Sequence, residues 1–292
     1  MKLQDVVLVR VKAAPPHLWF VVSAIFHYLG PSFAVLLFEN ISVLGVAWFR
    51  IASAALVFSL WTKPWKTFRL ADRSTIVLLL LLGACLALMN SAFYLAIDRL
   101  PLSLVATMEF IGTIAVALFG LRAARNYVAL SLAVAGVFIL IDVRWSDDWL
   151  GLAFAAVNAV LFMIYIFLGH RISEQGAGEG VGRLGAAMSA AFVFVMPIGF
   201  SGAIAAFSHP VLILAGIGVG IASSVVPYVC DQLAMSQLPR NTYALLLALL
   251  PATATIIGAV VLGQIPTIRD IVGILMVMGG ISIHKSAAPE ST

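Results

Sequence analysis

Ten long apolar stretches fill this chain of 292 residues, and one seven-residue pattern occurs in it twice. Leu95-Ala96-Ile97-Asp98-Arg99-Leu100-Pro101 is echoed, 138 residues later, by Leu233-Ala234-Met235-Ser236-Gln237-Leu238-Pro239. Each copy joins the end of one apolar stretch to the start of the next. Only 10% of the residues are charged, against about 25% in a soluble domain, so the solvent of this chain is the lipid bilayer. A spanning helix needs about 20 apolar residues. The reading is an all-α membrane protein with ten transmembrane helices; the runs are continuous, whereas barrel strands alternate. A shift close to half the chain divides it into residues 1–144 and 145–292, with five helices in each half. An odd number of spans makes the second copy insert upside down. The halves are therefore expected to be inverted repeats, the usual architecture of secondary transporters, with a substrate held near the midplane between them.

The expected spans are 18–38, 41–61, 75–97, 102–121, 127–143, 149–169, 184–205, 210–230, 241–262 and 268–284. Thirteen of the seventeen Lys and Arg residues fall on one side of the membrane and three on the other, with Arg50 inside a helix. That bias predicts that both termini are cytoplasmic. The pI near 9.3 comes from these short loops and does not point to a nucleic-acid partner. The stretch from His17 to Phe38 is too long for a signal-peptide core and reads as a retained first helix. Cys85 and Cys230 lie inside apolar stretches and read as small hydrophobes, with no disulfide and no metal expected. The Gly-rich run Gly176–Gly182 has no preceding strand and no following Lys-Ser/Thr, so it fails as a phosphate loop. It reads as a flexible cytoplasmic connection. With no nucleotide motif and no soluble domain, no cofactor is expected.

Glu109 is the residue most demanding of explanation. About eight residues into its stretch, it lies roughly 12 Å from the outer surface at 1.5 Å per residue. A carboxylate there costs at least about 2.5 kcal/mol on insertion scales. It is either a proton-coupling group, an anchor for a substrate ammonium, or half of a structural ion pair. Arg50 lies at matching depth, roughly 13 Å. It is read as a structural charge, paired with Glu109 to fix helix packing; the alternative is that it binds a substrate carboxylate. Other in-helix polar groups are Ser23, His27, Asn90, Ser91, Asn158, Ser223, Ser224, Thr253 and Thr255, each by default an interhelical hydrogen bond. Asn90 is a contact candidate because Phe93 and Tyr94 follow it on the same stretch. His27 titrates near neutral pH when unperturbed. Pro227-Tyr228 and Pro251 are expected helix breaks, and a freed carbonyl in a bundle must meet a partner or line a cavity. Gly216 and Gly220 predict close helix contact. The candidate site is thus Glu109, Asn90, Tyr94, His27, Ser224 and Tyr228.

Several of these residues sit in longer matches. The two five-helix halves, Ala47-Trp48-Phe49-Arg50 and the Leu-Pro turns before residues 102 and 241 resemble the EamA-type members of the drug/metabolite transporter superfamily. Within it, Met89-Asn90-Ser91-Ala92-Phe93-Tyr94-Leu95, Glu109-Phe110-Ile111-Gly112-Thr113, Ala115-Val116-Ala117-Leu118-Phe119, and Pro227-Tyr228 followed by Asp231 resemble the bacterial threonine and homoserine exporters. Two positions depart from that pattern. Leu250 precedes Pro251 where those exporters carry a Glu, and Gly263-Gln264 stands for their Gly-Glu. The resemblance implies a multi-pass bacterial inner-membrane exporter of small polar metabolites, amino acids first, by secondary transport and possible proton antiport. Monomer and homodimer both remain open. The rival readings are a membrane-embedded lipid-modifying enzyme, for which no His-Glu-x-x-His, Gly-x-Ser-x-Gly or Asp-rich motif is present, and a non-transporting scaffold.

Overall fold

A computed structural model of the chain describes residues 15–109, 148–174, 177–238 and 246–283, with a few isolated positions and short runs between them. Among the described residues, six helices are long and apolar enough to cross a membrane. The described elements are α1 Pro16–Val35, α2 Val43–Thr62, the short α3 Pro64–Leu70, and α4 Arg73–Ile97, followed by α5 over 102–109. They continue with α6 Trp149–Ser173, α7 Ala177–Ala203, the span α8 Pro210–Met235, α9 Leu250–Leu262 and α10 Ile268–Ile283. The rest of the expected 102–121 span, most of 127–143, the opening of 241–262 and both termini lie outside the described residues, as do residues 110–119 of the exporter-like motifs.

Helix starts are written locally. Ser42 caps α2 by accepting from the Gly45 amide at 3.2 Å, Asp72 caps α4 at the Thr75 amide, and Asp148 caps α6 at the Gly151 amide at 2.9 Å. Each side-chain oxygen satisfies one of the amides that a helix start leaves without an intrahelical partner. Gly263, at φ 64°, ends α9 in the left-handed conformation that glycine adopts without strain. Two expected loops are helical. The break at residues 63–73 contains α3, started by Pro64 after a left-handed Lys63. The Gly-rich run does not connect helices as a free coil: α7 begins at Ala177. Its small residues let the helix approach its neighbours, since a Cβ on Gly180 would lie 3.1 Å from Gln232 Oε1 and 3.3 Å from Ser173 Cα.

Water does not drive helices together inside lipid; close packing and hydrogen bonds do. The α2–α7 seam shows the first. A Cβ on Gly45 would overlap the Gly202 backbone, and one on Gly199 would lie 2.9 Å from Trp48 Cβ. Gly216 and Gly220 make the expected approach to α2, where added Cβ atoms would lie 2.8 Å from the Phe49 ring and 2.6 Å from Ser53 Cβ. The other principal contacts are α1 with α8 and α9, α4 with α6 and α7, and α2 with α8. Leu18, Val21 and Ile25 leave α1 outward, while Phe20, Ser23, Ala24, His27 and Tyr28 point in. Polar groups therefore collect in the interior, where only other helices can satisfy them.

Candidate functional site

The interior of α8 is built for a cation. Its helix widens into a π-turn at Ile221–Val225, just before Pro227. Pro227 has no N–H, so the Ser223 carbonyl four residues earlier loses its normal helical donor. That carbonyl accepts instead from Arg50 Nη2 at 2.8 Å. Arg50 Nε donates to Ser224 Oγ at 2.9 Å, and Nη2 also reaches Tyr228 Oη at 3.5 Å. The guanidinium lies 5.3 Å from the Tyr94 ring centroid and 5.9 Å from that of Phe93. Arg50 is only 2% exposed. Neutral acceptors and aromatic faces thus stabilise a buried charge that, among the described residues, pairs with no carboxylate.

Glu109 is equally buried, and the expected ion pair with Arg50 is not formed. Its Oε2 accepts from Tyr28 Oη at 3.1 Å and its Oε1 from Asn158 Nδ2 at 2.7 Å. Two helices have already supplied neutral donors, so the carboxylate has no need of the guanidinium as a partner, although the two are within electrostatic reach of each other. The Oδ1 of that same Asn158 carboxamide is buried with no hydrogen-bond partner. The sequence-selected residues fall in two neighbouring groups, Arg50, Ser224, Tyr228, Asn90 and Tyr94 in one and Glu109 and His27 in the other, joined through the rings of Phe162 and Tyr165. Tyr228 Oη donates to Asn90 Oδ1 at 3.2 Å, joining α8 to α4. His27 makes ring contacts with Tyr28 at 5.3 Å and with Phe162 at 5.9 Å, which places it beside the Glu109 clasp.

Residues outside the selected set complete the interior: Tyr28 and Asn158 at Glu109, Ser223 at Arg50, and a separate group of Asp231 with Ser23, Tyr165 and Tyr243. Asp231 lies one residue past the expected span 210–230, yet it is 4% exposed. It accepts from Ser23 Oγ at 2.5 Å and Tyr165 Oη at 3.3 Å, and Tyr243 also bonds to it. The available signal was its spacing: it follows Tyr228 by three residues on one helix, which puts both on one face. Tyr28 carried the weaker signal of adjoining His27. Cys85 and Cys230 are both free and buried. Gln264, at the position where Glu was expected, accepts from the Leu102 amide at 3.1 Å and so holds the start of α5. Among the described residues, no group of three or more His, Cys, Asp or Glu is placed to hold a metal.

No family model matches the chain. It is 35% identical over 240 residues to the threonine/homoserine exporter RhtA of Escherichia coli (strain K12), covering 80% of this chain and 79% of that protein. It is 32% identical over 238 residues to the protein of the same name from Salmonella typhimurium (strain LT2), with the same coverage. A solved crystal structure aligns over 92% of this chain and 95% of its own with TM-score 0.59; at 17% identity, that shows a shared fold alone. Identity of this extent, spread over four-fifths of both sequences, makes this membrane-embedded chain a member of the EamA-type drug/metabolite transporter family to which those exporters belong.

Proposed function

We propose that the chain is a bacterial inner-membrane exporter of amino acids, threonine and homoserine first, working by proton antiport. The carrying observation is a pair of opposite charges, Arg50 and Glu109, buried together without forming an ion pair. A zwitterion supplies the paired counter-charge that each lacks. Arg50 receives the substrate carboxylate, using the planar fork that suits carboxylates. Glu109 and the unpartnered Asn158 Oδ1 receive the ammonium. Asn90, Tyr94, His27, Ser224 and Tyr228 shape the space between them. Arg50 thus carries a substrate role in addition to its scaffold contacts.

The architecture in this reading is ten helices in two inverted repeats, residues 1–144 and 145–292, with both termini cytoplasmic. Two features support it. Exchanging the halves turns the α1–α8 contact into the α6–α4 contact and maps α2–α7 onto itself, and all of these are present. Asn90 and Tyr228 differ by 138 residues, the same shift as the repeated pattern, and they bond to each other as residues on a two-fold axis do. Rocking of one half on the other would expose the cluster to each side in turn. The family supports a transporter and not an enzyme.

The test is exchange of radiolabelled L-threonine by the purified protein in proteoliposomes. Unlabelled threonine and homoserine should compete. Threonine stripped of its carboxylate, and threonine stripped of its amine, should both fail, since each leaves one buried charge unmatched. Equal competition by the amine alone would remove Arg50 from the site.

A further inference from the structure

Asp231 and Glu109 are clasped by the same two helices. From α1, Tyr28 serves Glu109 and Ser23 serves Asp231; from α6, Asn158 serves Glu109 and Tyr165 serves Asp231. Ser23 and Tyr28 are separated by roughly 7.5 Å of helix rise, and Asn158 and Tyr165 by roughly 10.5 Å. The order is reversed on α6, as antiparallel neighbours require. Both rulers therefore put Asp231 one level below Glu109, toward the start of α1. The rings of His27 and Phe162, 5.9 Å apart, fill the interval.

The surroundings of the two carboxylates differ in two respects. Glu109 meets one hydroxyl, Tyr28 Oη, and one group that can only donate, Asn158 Nδ2, and it lies within electrostatic reach of the Arg50 cation. Asp231 meets three hydroxyls, from Ser23, Tyr165 and Tyr243, and a hydroxyl both donates and accepts. When a proton adds to Oδ1, the Ser23 hydroxyl turns from donor to acceptor, and Tyr165 still donates to Oδ2, while Tyr243, a hydroxyl, can serve either oxygen in either role. No bond is stranded in either state. The other titratable or charged groups around Asp231 are His27 on α1, Arg50 on α2 behind Tyr228, Glu109 on α5, Cys230 on α8, and His170 on α6 behind the Tyr243 ring. Among the described residues none of them forms an ion pair with Asp231, so no fixed cation locks it ionised and none is placed beside it for a substrate carboxylate.

We infer that Asp231 is the proton-binding site of the exchange cycle, one level away from the amino-acid site at Glu109 and Arg50. The inference rests on the amino-acid exchange reading above. Two assays on the full chain in proteoliposomes test it: radiolabelled L-threonine exchange at equal pH, and threonine movement driven by an imposed pH gradient. Asp231→Asn keeps the size and can hydrogen-bond the three hydroxyls but cannot take up a proton. It should retain exchange within about threefold and lose gradient-driven movement. Asp231→Glu should restore the latter with a displaced pH midpoint. Loss of exchange in a folded Asp231→Asn protein, or gradient-driven movement left intact, would overturn the inference. If Asp231→Asn does not fold, Tyr165→Phe is the second variant: its pH midpoint for driven movement should shift while exchange persists, and an unmoved midpoint counts against the proposal. Absence of wild-type threonine exchange would instead overturn the underlying reading.

Discussion

Neutralising Glu109 separates binding from stability. In Glu109→Gln the side chain keeps its size, so Tyr28 and Asn158 keep a partner at 3.1 and 2.7 Å. The Gln oxygen can accept from Asn158 Nδ2 and the Gln NH2 can donate to Tyr28 Oη, so the latter bond reverses direction and both become neutral, falling from about 1.5–3 to about 0.5–1.5 kcal/mol each. Against that stands relief of burying a charge in the bilayer, which costs a few kcal/mol, about 2.5–3.5 on insertion scales. The two effects nearly cancel, so Tm in detergent should stay within a few degrees of wild type. Substrate binding has no such compensation. Losing one member of a buried, hydrogen-bonded charge pair costs about 2–5 kcal/mol, which at 1.4 kcal/mol per tenfold is about 30-fold to several thousand-fold in Kd. Equilibrium binding of radiolabelled threonine to the purified variant, beside its melting curve, reads both quantities. Unchanged affinity with unchanged Tm would refute the ammonium role. A collapse in Tm and abundance would make the carboxylate structural.

Three further outcomes follow from the geometry. Gly45→Ala should destabilise the α2–α7 seam by about 1–3 kcal/mol, the usual cost of overpacking, whereas Gly182→Ala, with nothing within 4 Å of the added carbon, should leave the melting temperature unchanged or raised. At the start of α6, the Gly151 amide and then the Arg99 guanidinium, 3.0 Å away, hold the Asp148 carboxyl below its ordinary value of 3.8. A depressed carboxyl stabilises fully above that ordinary value and loses its effect as pH falls through the lower folded one. The Tm gap between wild type and Asp148→Asn should therefore close in strong acid, and a gap independent of pH would contradict the cap. Reporter fusions at Lys63–Arg73 should read cytoplasmic and at Asp98–Pro101 periplasmic; the reverse would invert the proposed orientation.

Composition and run length alone were enough to establish a helical membrane protein, because in lipid the backbone must bond within its own segment and the side chains must be apolar for about 20 residues. The cost of charge in that environment equally marked Glu109 and Arg50, and the missing N–H of Pro227 announced a carbonyl in need of a donor. What the linear order could not supply was the pairing. Equal depth suggested that Arg50 and Glu109 bond to each other, but depth is one coordinate of three. The rotation of each helix decides which neighbour a side chain meets, and here it turns Arg50 toward Ser223 and Ser224 and Glu109 toward Tyr28 and Asn158. Asp231 shows the same limit. It falls just past the expected end of its span, and only the packing of α1, α6 and Tyr243 around it encloses that end. Tyr28 and Tyr165 carry no mark of their own in an apolar run, and Ser23 reads only as some interhelical hydrogen bond; their role exists only where tertiary contact brings them against a carboxylate.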